Sequence, residues 1–264
     1  MTIATVISAA SGGEGFAPPG PADFHLPPLF GEVTKPMLLV VLAAVLVFAF
    51  TYLAARPAAV VPGRLQFAGE YVYGFVRNGI ARESIGSEHF MKFVPYLFAL
   101  FLFVAVNNYF GLVPFIQYPP MSHFGFPLGL ALLTWILYIG VGIGKHGFLG
   151  YLKHITIPSG VKGPVLAIII PLEFLSNILV RPATLSLRLF ANMFAGHLLL
   201  MLFAFGGEYL LFESTSLING IAGVLSFVMF GAVTVLELLI MFLQAYVFTL
   251  LTATYLGESL ADEH

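Results

Sequence analysis

The sequence predicts an all-α integral membrane protein of about five transmembrane passages with interfacial helices between them, and three observations predict it. Apolar residues make up 59% of the chain and charged residues only 9%, where soluble domains carry roughly one quarter charged residues. Mean hydropathy is +0.97. The apolar residues also gather into runs of about 20 or about 40, on the scale set by a hydrocarbon layer of roughly 30 Å. A net charge of -2 without any dense basic cluster excludes a nucleic-acid surface. The absence of cysteine excludes disulfides, thiolate metal sites and thiol nucleophiles.

Residues 1–35 are rich in Gly, Pro and Ala and lack both a basic start and an apolar core, so they are expected to form an exposed tail rather than a cleaved signal. Residues 36–264 are expected to form a single membrane domain, with spans at about 36–55, 93–115, 126–144, 165–205 and 217–256. The last two runs would each reach roughly 60 Å as straight helices, so each has to tilt steeply, break or leave the membrane. Pro171 and Pro182 offer the first of them places to bend. Between the first two spans, Leu65, Ala68, Val72 and Val76 recur at helical spacing opposite Glu70 and Arg77, which predicts a helix at the interface.

Lysine and arginine set the orientation. Arg56, Arg64, Arg77, Arg82 and Lys92 occupy the first connector, and Lys145, Lys153 and Lys162 the third, whereas Lys35 alone flanks the other side. The N-terminus is therefore expected outside and the C-terminus in the cytoplasm, with a bacterial plasma membrane as the favoured setting.

The polar residues inside the long runs point to function. Arg188 stands in Leu187-Arg188-Leu189-Phe190-Ala191-Asn192-Met193, and a guanidinium at membrane depth costs roughly 2.5 to 3.5 kcal/mol on insertion scales. An arginine there marks an ion pathway by default. Glu173, Asn177, Arg181, Thr184, Arg188 and Asn192 follow at spacings that put all six on one face of a regular helix. A purely structural alternative has Glu173 and Arg181 neutralise each other. Arg188 has no acid within one turn of its own helix, so its partner must come from elsewhere.

His197 lies nine residues beyond Arg188, on the opposite side of a straight helix. In the last run Thr234, Glu237, Met241 and Gln244 share a face, and Glu237 is the isolated acid among them. Burial disfavours the charged form of either a carboxylate or an imidazole. His197 and Glu237 therefore suit a proton relay.

These residues resemble the subunit a family of the rotary F-type ATP synthase. The resemblance rests on the arginine motif just given, on Ala195-Gly196-His197, on Glu237 shortly before Leu243-Gln244-Ala245, and on Asn108 before Gly111-Leu112-Val113-Pro114. It runs from about Phe30 to the end. Glu173 departs from the family's pattern by standing one residue farther from Pro182. Some members carry Glu and His exchanged at the positions of His197 and Glu237.

The resemblance implies that Arg188 faces a rotating ring of c subunits, each with a carboxylate in the membrane. It implies two aqueous half-channels, with Glu237, His197, Asn192 and Gln244 on the proton pathway, Asn108 nearby, and Glu173, Asn177 and Arg181 as further candidates. The last two runs would form a long, steeply tilted hairpin following the ring. Partners would be the c ring, the b subunits of the peripheral stalk and, indirectly, the F1 sector. No cofactor, metal or nucleotide site is expected, so any ATP chemistry resides in other subunits. A self-contained transporter would favour an internal repeat, which is absent. An intramembrane metallohydrolase would favour a His-Glu-x-x-His helix, which is also absent.

Overall fold

In a computed structural model, residues 16–24, 27, 31–56, 61–114, 116–157, 165–213 and 216–261 are described. Residues 1–15 of the expected tail, Lys162 and the last three residues lie outside them. Among the described residues the chain is helical, and four helices are long and apolar enough to cross a membrane. The first is α1, Lys35–Ala55, opened by Pro36, which fixes a helical φ where no backbone donor is needed. Then come α2, Arg64–Val76, continued through a π-helical stretch Arg77–Ala81 and a last turn Arg82–Ile85, and α3, Val94–Tyr109. The remaining spans are α4, Gly125–Thr156, then α5, Leu166–Leu175, joined to α6, Arg181–Phe212, and finally α7, Leu217–Leu260.

α3 has 16 residues and is shorter than the expected run of 93–115. Apolarity persists past Tyr109, but Pro114 disfavours the α conformation at the residue before it, and the chain turns through Phe110–Val113. α4 extends past the expected end at Gly144, yet Gly147 adopts φ +72° inside it, so the helix changes direction there. Neither Pro171 nor Pro182 breaks the next run: Pro182 sits at the start of α6, where its missing N–H goes unnoticed. α5 and α6 are instead joined by one π-helical segment, Ser176–Val180.

α6 and α7 pack along each other as an antiparallel hairpin, with α3 and α4 as their principal neighbours. α7 has 44 residues, or about 66 Å at 1.5 Å per residue, twice the hydrocarbon thickness. Between α3, α6 and α7 lies a core of Val104, Leu185, Leu189, Met193, Met241 and Phe248. The outward faces of α1, α6 and α7 remain apolar and exposed, including Phe48, Leu187, Val235 and Leu239, as expected of surfaces meant for lipid or another membrane protein.

The apolar row of α2 is only partly packed against the bundle. Val76 is buried, but at the N-terminal end Gln66 and Gly69 are buried while Leu65 is exposed. Gln66 donates to Glu70 at 2.8 Å and Gly69 lies against Ala54 of α1. Apolar Leu65, Phe67 and Tyr71 point outward, because at a membrane surface apolar side chains need not turn inward.

Candidate functional site

The sequence candidates separate into three places along the α6–α7 hairpin. Arg188 is on its exposed face, between exposed Leu187 and buried Leu189. No hydrogen bond or ion pair to Arg188 occurs among the described residues. A guanidinium carries five donors and does not lose its charge, so a cation left open on an apolar face is costly without an acidic partner.

Behind it, facing α3, the polar side chains converge. Asn192 donates to Gln244 Oε1 at 2.7 Å, bridging α6 to α7. Asn108 donates to the Met241 carbonyl at 3.2 Å, bridging α3 to α7. Glu237, one turn before Met241, is 2% exposed. Its carboxylate occupies the space left by Gly196, where any Cβ would overlap both oxygens. His197 follows immediately on α6. The expected relay pair is thus brought to one level of the hairpin, although no hydrogen bond joins the two.

Five atoms of this region are buried without a protein partner: Glu237 Oε1, His197 Nδ1, Gln244 Nε2, Asn108 Oδ1 and Asn107 Oδ1. Buried polar groups are nearly always satisfied. A row of open donors and acceptors is suited to hold water, and water can carry protons between groups that do not touch. Asn107, 0% exposed, did not stand out in the sequence because an asparagine beside Asn108 near a helix end reads as a turn residue.

His197 also lines a cavity of about 520 Å³, together with Thr234, Gly111, Tyr118, Asp23 and Lys35 among others. Lys35 donates to the Ile116 carbonyl at 2.7 Å and lies over the Tyr118 ring. Burial pushes the Tyr118 phenol up to about 12, so it stays a donor, and it donates to the Phe24 carbonyl at 2.7 Å. Residues of the expected N-terminal tail thus pack onto this end of the bundle.

At the opposite end a second cavity of about 150 Å³ is lined by Tyr138, Glu173, Asn177, Arg181, Tyr255 and Glu258 among others. Here the structural alternative, Glu173 neutralised by Arg181, is not the pairing found. Arg181 pairs with Glu258 of α7 at 2.6 Å and lies over the Tyr255 ring, whereas Glu173 accepts from Asn177 at 3.3 Å. The single helical face drawn through all six polar residues also fails, because a π turn takes up one extra residue and sits between Glu173 and Arg181. Glu258 was missed because an acid in a charged C-terminal tail reads as solvated.

Comparison with known proteins identifies the family. A family model described as ATP synthase A chain matches residues 37–257. The chain belongs to the ATP synthase A chain family. It is similar to an ATP synthase subunit a of a Nocardioides species, 56% identical with 100% of each chain covered. It is also similar to the ATP synthase subunit a of Pseudarthrobacter chlorophenolicus, 49% identical over 99% of this chain and 100% of the relative. A third, from Streptomyces lividans, is 41% identical over 96% and 90%. Membership in the ATP synthase A chain family, with the long apolar helices, makes this a multi-pass membrane protein and displaces the transporter and metallohydrolase readings.

Proposed function

We propose that this chain is the proton-translocating stator subunit of a rotary ATP synthase, and that Arg188 exchanges the charge state of carboxylates passing on a rotating c ring. Family membership supports proton translocation in the membrane sector. The observation that carries the finer reading is Arg188 itself, an unpaired cation on the exposed apolar face of the α6–α7 hairpin. Its fixed charge would hold a facing carboxylate ionised and force its proton to leave, and since arginine does not deprotonate it would bar a direct leak.

Two aqueous routes are then required. The wide cavity lined by His197, continued inward through the buried polar groups Glu237, Gln244, Asn192 and Asn108, suits the outer one, and the narrow cavity by Glu173, Asn177 and Arg181 suits the inner. The concentration of Lys and Arg in connectors at the narrow-cavity end supports placing that end, and the C-terminus, in the cytoplasm. The c ring, the b subunits of the peripheral stalk and, indirectly, the F1 sector are the partners of this reading. A proton crossing the membrane carries about 2.3 kcal/mol per 100 mV, so separate routes keep each crossing tied to rotation.

Arg188→Ala tests the reading. The expected outcome is a fully assembled complex without ATP synthesis. In the same complex, a cysteine at exposed Ala191 should form a disulfide with a cysteine beside the c-ring carboxylate. Retained synthesis, or no disulfide in an intact complex, would overturn it.

A further inference from the structure

The wide cavity has one wall that does not come from the helical bundle. Residues 16–24 run across its end: Phe16 lies 5.6 Å from the Tyr209 ring and beside Gly206, and a 3₁₀ turn spans Pro21–Phe24. The turn is closed locally by the Asp23 carboxylate accepting from the Gly20 amide at 2.7 Å. Phe24 is the anchor. It is 3% exposed, its ring centroid is 4.7 Å from that of Phe194 and 5.8 Å from that of His197, edge to face, and its carbonyl is held by the Tyr118 hydroxyl.

The geometry points to residues 16–24 as a cover over the outer proton route, with Phe24 as the wedge that both closes the cavity and holds the His197 ring. This inference rests on the outer placement of the wide cavity proposed above. Four features support it. The segment contributes Asp23 and Phe24 to the same lining as His197. Its anchor touches the candidate relay residue rather than a remote patch. Tyr118, which holds it, belongs to the loop between α3 and α4, so the cover is fastened to the part of the bundle that also carries Asn108. Lys35 over the Tyr118 ring fastens that loop to α1. The consequence is that protons reach His197 past Asp23 and Lys35, whose opposite charges flank the cavity, rather than through an open funnel.

Cysteine accessibility tests this, since the chain has no native cysteine. Ala204 lines the cavity, so Ala204→Cys in the assembled complex, in right-side-out vesicles, can be challenged with a membrane-impermeant maleimide. Removing a buried phenyl ring shifts a docked segment toward release by roughly a hundredfold, so Phe24→Ala is expected to raise the labelling rate at least about tenfold. Phe24→Leu should restore slow labelling. Tyr118→Phe, which removes only the hydroxyl, should give a smaller rise and serves if Phe24→Ala does not assemble. Equal rates in all four backgrounds would overturn the cover. Labelling solely from the cytoplasmic face would instead overturn the outer placement, and the inference with it.

Discussion

Gly196→Ala separates packing from proton transfer. On ideal geometry the new methyl overlaps both oxygens of the Glu237 carboxylate, and no other group stands closer. The neighbour is the tip of a flexible side chain, so the two helices need not part, and the stability cost should fall at the low end of the roughly 1 to 3 kcal/mol typical of overpacking. The carboxylate has to give way by on the order of 1 Å, and a displacement of that size in a reacting group can cost about a hundredfold. The expected result is a complex present at near-normal amount, read by native gel, in which ATP synthesis driven by an imposed proton gradient falls by roughly ten- to a hundredfold. Combining Gly196→Ala with Glu237→Asp, one methylene shorter, should recover part of the loss. Normal synthesis in the single variant would show that the position of this carboxylate is irrelevant to transfer. A complex that fails to assemble would show that Gly196 serves helix packing instead.

Two further perturbations follow from the same geometry. Exchanging the relay groups, His197→Glu with Glu237→His, is expected to retain more gradient-driven synthesis than either single change, and a double variant no better than the singles would show that the sites are not a pair. At the other end, Glu258→Gln should cost about 1 kcal/mol or less because the pair is partly exposed, whereas Glu258→Lys sets a like charge against Arg181 and should free the end of α7 to chymotrypsin, which can cut after Tyr255 in either variant, in inverted vesicles. Equal protease resistance in both would remove the Arg181–Glu258 pair as a fastening.

Run length and hydropathy made the long helices legible, since nothing but hydrocarbon thickness is needed to read them. Arg188, Asn192, Gln244 and Glu237 stand out in the sequence as polar residues in apolar runs, each costly where it stands. What escaped was set by contacts between distant parts. The packing of Gly69 against Ala54 depends on how α1 and α2 meet, which the apolar spacing of α2 does not disclose. The partner of Arg181 lies 77 residues away, at Glu258, beyond any periodicity. The role of Phe24 depends on Tyr118 and His197, neither of which its own neighbours in sequence disclose.

The π turn at Ser176–Val180 has a consequence for how such a chain can change. A helix that must keep Asn192 and Gly196 against α7 and Arg188 on the open face cannot accept an inserted residue within that stretch without turning every following side chain by about 100°. Placed upstream, the wider turn takes in one residue as slack, so the segment holding Glu173 and Asn177 can lengthen while the arginine face stays in register.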